Sequence, residues 1–281
     1  MERLENIKLI VADLDGTLLD ENKQIDSDMP SLLPAMREQG IAFTFGSGRN
    51  MHIMQDYVSQ LQVDIPYITN NGANMFEGRR CIYECSMSSS DLLLALTLLK
   101  QRGIPFLAYS NFAVYPVGSH PGLTKFMERL KGKSDIIETK TIHEIIEHSI
   151  FKVVIIHDDE ILMKQVMDEI NNNCKEAHCV RSEGDIYTLT HIDASKGNTL
   201  KKLMELMKVS SDQVLVFGDN YNDTSMFDVV KYSVAMGNST KEIQDKATHV
   251  TKSNEEQGVS WFIKNYVLEK ALVDMLEFFV V

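Results

Sequence analysis

The sequence predicts an α/β fold, a Rossmann-like parallel-sheet core with an inserted α/β cap domain. Three observations carry this. Short apolar strands alternate with helices toward both ends of the chain. The strands in those end regions stop at polar, mostly glycine-bearing turns. The strands of the middle third stop at no such turn. With 281 residues, 44% of them hydrophobic, the chain has ample material for a buried core and the length for two domains.

Residues 7–12 are short, apolar and partly β-branched, and read as a buried parallel strand. The acidic turn Asp13-Leu14-Asp15-Gly16-Thr17 follows directly. Residues 30–39 read as a helix, with Pro30 suited to its first turn and Gly40 to its stop. Residues 41–45 form a second strand ending in Gly46-Ser47-Gly48-Arg49, and residues 50–61 a helix. Residues 67–69 form a third strand of the same alternation, ending in Asn70-Asn71-Gly72. In open parallel sheets, ligands bind beyond the carboxyl ends of the strands, which is where these polar clusters fall.

The middle carries helices over residues 91–101, 121–131 and 160–172 and strands over 106–109, 113–115 and 151–157. The first pattern then returns. Ser195-Lys196-Gly197 opens a helix over 197–208. A strand over 214–217 leads into Gly218-Asp219-Asn220-Tyr221-Asn222-Asp223, and one over 233–236 ends at Gly237. The tail, 261–281, reads as a helix with Leu268, Leu272, Met275, Leu276 and Phe279 on one face, packed on the core. The predicted boundaries are 1–82 with 188–281 for the core and 83–187 for the inserted domain, with hinges near 80–86 and 184–190.

Composition narrows the function. The net charge is -12 and no Lys/Arg cluster stands out, which argues against nucleic acid and against an anionic membrane surface as partners. The four cysteines, Cys81, Cys85, Cys174 and Cys179, lack the spacing of a zinc site and read as unbridged thiols of a reducing compartment. The start of the chain has no apolar run of a signal peptide, and no stretch reaches the ~20 apolar residues of a bilayer span. The expectation is a cytoplasmic monomer or homodimer.

The chemistry is concentrated in the acidic turns. Asp13 and Asp15 are two carboxylates one residue apart. At ~4 Å, like charges repel by about 4 kcal/mol at an effective dielectric of about 20, a cost that structure alone rarely requires. Asp219 and Asp223 follow another apolar strand and can face the same crevice. Converging carboxylates with few nitrogen donors suggest a hard cation, Mg²⁺. A dianionic phosphate beside Asp13 and Asp219 needs both Mg²⁺ and Lys196 to balance it. Ser47, the Gly48 amide and Asn222 are suited to donate hydrogen bonds to it. The sequence contains no G-x-G-x-x-G, no phosphate-binding G-x-x-x-x-G-K-[ST] loop, no G-x-S-x-G and no H-E-x-x-H.

Four segments, in order, resemble the motifs of the haloacid dehalogenase superfamily of phosphotransferases: Asp13-Leu14-Asp15-Gly16-Thr17, Ser47-Gly48-Arg49, Lys196-Gly197 and Gly218-Asp219-Asn220-Tyr221-Asn222-Asp223. Asn71-Gly72-Ala73, Glu256-Gln257-Gly258-Val259 and the large α/β insertion resemble the Cof-type branch. His191 and Asp193 depart from the proline and glycine often found before the lysine motif, and the tail beyond Val259 is longer than expected.

The resemblance implies a phosphatase acting on small phosphorylated metabolites, sugar phosphates among them. It implies that Asp13 attacks phosphorus and that Asp15 is general acid and then base. Mg²⁺ would be held by Asp13, the Asp15 backbone carbonyl and Asp219, with Asp223 orienting metal waters and Lys196. Leu14, Ser47, Gly48, Lys196 and Asn222 would hold the phosphate, and Thr17 would fix the turn after Asp15. The cap would select the substrate, with Tyr109, Asn111 and Tyr187 as positions that either face it or pack. The alternatives are a phosphomutase or phosphotransferase, and a phosphometabolite sensor without turnover.

Overall fold

Strand β1 (Leu9–Ala12) is buried at every position in the computed structural model, which describes residues 3–111, 113–130, 134–139 and 141–268. Helix α1 (Met29–Glu38) has Pro30 in its first turn, where the missing N–H costs nothing. Strand β2 (Ala42–Phe45) leads to helix α2 (Met51–Gln60), which Asn50 starts by accepting the Ile53 N–H at 3.1 Å. Strands β3 (Tyr67–Thr69), β4 (Asn74–Glu77) and β5 (Arg80–Glu84) follow.

The inserted segment contains α3 (Ser89–Gln101), β6 (Phe106–Tyr109), β7 (Ala113–Val117), α4 (Pro121–Leu130), β8 (Asp135–Ile136), α5 (Ile142–Ile146), β9 (Lys152–Ile156), α6 (Glu160–Asn173), β10 (Ala177–Glu183) and β11 (Ile186–His191). The remainder is α7 (Lys196–Met207), β12 (Val214–Gly218), α8 (Thr224–Phe227), β13 (Tyr232–Ala235), α9 (Lys241–Lys246), β14 (His249–Val250) and α10 (Gly258–Tyr266).

The chain divides into two compact units. One comprises the residues up to Tyr83 and from Ser195 onward; the other is Glu84–Ala194. In the first, a parallel sheet runs in the order β14-β13-β12-β1-β2. One face buries Ile10, Phe43, Leu215 and Phe217 with α1, α2 and α10; the other buries Leu9, Val11 and Val216 with α7. Each such fully buried aliphatic or aromatic side chain contributes about 1.5–3 kcal/mol. Phe217 meets Phe262 of α10 edge to face at 5.6 Å.

Strand β3 departs from the expected pattern. It forms a separate sheet, antiparallel to β4, and touches the parallel sheet through one bridge between Gly46 and Ile68. The cause is the turn that follows it: Asn70, Asn71 and Gly72 have φ of 52°, 55° and 91°, which turns the chain back on itself.

The second unit has a mixed sheet in the order β10-β11-β9-β6-β7-β8. One face packs Phe106, Val153, Ile155 and Leu189 with α3, α5 and α6; the other packs Leu107, Val154 and Ile156 with Leu123 of α4. The predicted cut at 187/188 falls inside β11, which pairs with both β9 and β10, so the boundary lies at Ala194/Ser195 instead. The predicted hinge spans likewise coincide with β5 and β11. Helix α10 starts before the predicted 261, and Leu268 is buried; Leu272, Met275, Leu276 and Phe279 lie outside the described residues.

Candidate active site

The two central strands deliver the first carboxylates. Asp13 follows β1, and its N–H continues the ladder to the Phe217 carbonyl of β12 at 3.0 Å. Asp219 follows β12 directly. The third carboxylate, Asp223, closes the turn after β12: its Oδ2 accepts the Asp219 and Asn220 N–H groups, each at 3.0 Å. Gly218 permits this turn, since a Cβ there would lie 2.4 Å from the Asp223 Cβ. Asp13, Asp219 and Asp223 each present an oxygen within 4.8 Å of the others.

Lys196 enters from the start of α7, where Ser195 caps the helix by accepting the Asn198 N–H at 3.1 Å. Its side chain is 0% exposed. Its Nζ donates to Asp13 Oδ1 at 2.6 Å and to Asp223 Oδ1 at 2.6 Å. Thr17 Oγ1 donates to Asp219 Oδ1 at 3.0 Å, so this residue ties the β1 turn to the β12 turn.

One ammonium does not neutralise three carboxylates. Burial raises Asp13 to about 7 even though Lys196 opposes it, and Asp223 adds to the rise. Burial, then the charge of Asp223, raises Asp219 to about 6. Burial works against the Lys196 ammonium, but Asp13 and Asp223 outweigh it and hold Lys196 well above the usual lysine value. An all-oxygen, under-neutralised cluster of this size fits a hard divalent cation such as Mg²⁺, which would be held by Asp13, Asp219 and Asp223.

Asp15 is held differently. Arg49 grips it with two bonds, Nε to Oδ2 and Nη2 to Oδ1, both 2.6 Å, and Lys23 Nζ adds a third to Oδ1 at 2.9 Å. Burial pushes the Asp15 carboxyl up, but the bonds from Arg49 and Lys23 outweigh it and hold it below the usual carboxylate range. Arg49 also donates to the Tyr57 hydroxyl at 2.9 Å.

The predicted phosphate-binding residues share the same edge. The Gly46 N–H donates to Ala12 O at 3.0 Å, which places Ser47 and Gly48 beside the end of β1. Ser47 is buried, and its carbonyl accepts the Asn71 N–H at 3.0 Å. Gly48 abuts Asn71, whose Oδ1 accepts from Asn222 Nδ2 at 3.0 Å. Leu14 is buried, and its carbonyl accepts the N–H groups of Thr17, Leu18 and Leu19, which winds the turn that carries Asp15.

Three residues escaped the sequence reading. Arg49 belongs to the Ser47-Gly48-Arg49 segment, which by itself assigns it no role. Asn71 had a signal in its Asn-Asn-Gly turn. Lys23 had none, because nothing local marks it as a partner of Asp15. Of the predicted substrate-facing positions, Tyr187 is core packing at 2% exposed, Asn111 donates to Glu84, and Tyr109 lies on the other face of the sheet from Tyr187. The four cysteines are thiols.

Carboxylates that close two adjacent inner strands of a parallel sheet, with a buried lysine bonded to Asp13 and Asp223, are the arrangement the sequence led us to expect of a haloacid dehalogenase-type hydrolase. The chain matches that family, the haloacid dehalogenase-like hydrolases, over residues 10–263, and belongs to it as an enzyme of the phosphatase kind. It is 27% identical over 280 residues to the 5-amino-6-(5-phospho-D-ribitylamino)uracil phosphatase YwtE of Bacillus subtilis, covering 92% of this chain and 97% of that one. It is 25% identical over 274 residues to the pyridoxal phosphate phosphatase YbhA of Escherichia coli, covering 93% and 99%. Among solved structures, a haloacid dehalogenase-like hydrolase from Bacteroides thetaiotaomicron superposes with a TM-score of 0.78 at 26% identity, covering 92% and 98%.

Proposed function

We propose that the chain is a Mg²⁺-dependent phosphatase that hydrolyses small phosphorylated metabolites, sugar phosphates or similar, through a phospho-aspartate on Asp13. The observation that carries this is the Lys196 bridge between Asp13 and Asp223 within an otherwise unneutralised carboxylate cluster. Such a set suits a nucleophile that must meet a dianion.

In this reading an Asp13 oxygen attacks phosphorus in line, and the bond from phosphorus to the leaving oxygen breaks. Asp15 gives that oxygen its proton. Asp15 then takes a proton from water, which attacks the phospho-aspartate and releases phosphate. Arg49 and Lys23 hold Asp15 as a carboxylate, the form the second step needs; for the first step those ion pairs must open. Lys196, Ser47, the Gly48 and Leu14 amides and Asn222 hold the phosphoryl oxygens. When bound, Mg²⁺ supplies charge to offset Asp13, Asp219 and the phosphate. Thr17 and Asp223 keep Asp219 and Lys196 in place.

The unit formed by residues up to Tyr83 and from Ser195 onward is the catalytic core in this proposal, and Glu84–Ala194 is the cap that selects the substrate. Pyridoxal phosphate and the ribityl-aminouracil phosphate named for the relatives are reasonable first substrates. A cytoplasmic monomer or homodimer fits the thiol cysteines, and among the described residues no helix is long and apolar enough to cross a membrane.

The test is phosphate release from a panel of phosphorylated metabolites, with Mg²⁺ and with EDTA, for wild type and Asp13→Asn. Metal-dependent release lost by several orders of magnitude in the variant is expected. An isomerised phosphoester without free phosphate would replace the proposal with a mutase, and tight binding without turnover would replace it with a sensor.

A further inference from the structure

The turn Asn70-Asn71-Gly72 after β3 does more than reverse the chain. All three residues have left-handed backbone, with φ of 52°, 55° and 91°, and two of them are not glycine. Strain of this kind persists where the surroundings impose it, and it gathers at functional sites. The turn touches two of the segments that carry the site, all within the unit of Asp13. Asn70 N–H donates to the Arg49 carbonyl at 2.9 Å, and Asn71 N–H to the Ser47 carbonyl at 3.0 Å. Gly72 abuts the start of α7: a Cβ there would lie 2.1 Å from the Ser195 carbonyl oxygen, and the Gly72 carbonyl accepts from Thr199 Oγ1 at 2.6 Å.

The Asn71 side chain reaches a third segment. Its Oδ1 accepts from Asn222 Nδ2 at 3.0 Å. Its carboxamide also lies against Gly48, where a Cβ would be 2.8 Å from the same Oδ1. Gly48 is not left-handed, so space, and not backbone conformation, calls for glycine there. An amide nitrogen carries two hydrogens, and an acceptor beside it fixes which end of the amide is presented. Asn71 therefore holds Asn222 with its donor end at this edge. The second hydrogen of Nδ2 makes no other bond among the described residues and is available to a ligand.

Turn geometry alone does not call for asparagine at 71. Glycine adopts this backbone with less strain, as Gly72 does beside it. What glycine lacks is the carboxamide. Asn222 is exposed, so without that partner its side chain is free to change rotamer.

We propose that Asn71 is a positioning residue for the phosphoryl group: it holds the Asn222 amide, donor end presented, beside Gly48. This rests on the phosphatase reading above for the identity of the ligand. A donor fixed in advance need not be ordered when the phosphate arrives, which is what makes it effective.

The test is a double-mutant cycle of Asn71→Gly and Asn222→Ala. It is read by hydrolysis of the metabolite panel and by calorimetric binding of inorganic phosphate, both with Mg²⁺ present. Asn71→Gly is expected to melt within about 3 °C of wild type. It should weaken phosphate binding about tenfold, with KM for the hydrolysed substrates rising in step. Asn222→Ala should lose at least as much, and the double variant should bind phosphate within about twofold of Asn222→Ala alone. A lower kcat with KM and phosphate affinity intact would mark a smaller folded population and overturns the proposal. Effects that multiply in the double variant overturn it too. If the wild type hydrolyses the panel and Asn71→Gly matches it, the phosphatase reading stands and the role of Asn71 fails. If the wild type hydrolyses no member, yet binds phosphate with this coupling, the phosphatase reading fails and the role of Asn71 stands.

Discussion

At the scale of single residues, the site is a problem of charge balance. Among the described residues, Lys196 is the sole ammonium bonded to the Asp13–Asp223 pair, and it has no exposed surface. Replacing it with methionine leaves both carboxylates buried without their partner. Breaking such a pair from one side costs about 3–5 kcal/mol, so Lys196→Met should unfold at markedly lower denaturant than wild type. Its kcat/KM should fall on the order of 10²–10³-fold, the scale of losing one preorganised charge donor. A variant of wild-type stability and rate would show that Lys196 is an onlooker. Arg49 acts on Asp15 through a two-pronged grip that lysine cannot reproduce. Arg49→Lys should therefore lower kcat while leaving thermal stability within about 0.5–1 kcal/mol, since the ion pair is partly exposed. Kinetics and a melting curve on the same sample check both halves.

At the scale of elements, turns and caps aim these side chains. Gly197 lets α7 approach the segment after β12 so closely that a Cβ would lie 1.9 Å from the Ser225 carbonyl oxygen. Gly197→Ala should cost about 1–3 kcal/mol and displace Lys196, whereas Gly78→Ala, with open space around it, should cost only its left-handed backbone strain, about 1 kcal/mol. Equal melting temperatures for the two variants would contradict the close approach. In the inserted unit, Asp91 Oδ2 accepts three N–H groups, from Lys175, Glu176 and Ala177 at 2.9, 2.7 and 3.0 Å. Asp91→Ala orphans all three and should cost about 3 kcal/mol or more. Hydrogen exchange should show the lost protection at those amides first.

The same elements show what a sequence reveals. Strands β1, β2 and β12 are apolar runs packed on both faces, so composition alone exposes them. Strands β10 and β11 hide because Arg181, Ser182, Thr188 and Thr190 interrupt any apolar run, and their hairpin turns on Gly184 at a φ of 54°. The affiliation of β3 was illegible because it depends on how two asparagines bend the chain, and not on the strand itself. In the site, the catalytic candidates stood out by type and position at strand ends. Pairings such as Thr17 with Asp219 or Arg49 with Asp15 join positions far apart in the chain, and no local spacing encodes them.

At the scale of the whole molecule, the proposed cation site would make stability a function of the metal. Folding gathers Asp13, Asp219 and Asp223 within 4.8 Å of one another, and burial and mutual repulsion raise two of them. That repulsion is absent from the unfolded chain, so a cation that binds the cluster binds the folded state alone and stabilises it by mass action. At a free Mg²⁺ concentration a hundredfold above its Kd, the gain is about 2.7 kcal/mol. Thermal melts with increasing Mg²⁺ should therefore shift upward, EDTA should reverse the shift, and Ca²⁺, which favours larger and looser oxygen cages, should substitute less well in activity than in stability. Asp219→Asn should melt above wild type without metal, because one repelling charge is gone, and gain little when Mg²⁺ is added. That crossing of the two curves distinguishes a cation held by the cluster from a general salt effect, which would move both proteins alike. A wild-type melt that is indifferent to Mg²⁺ would remove the cation from the proposed chemistry.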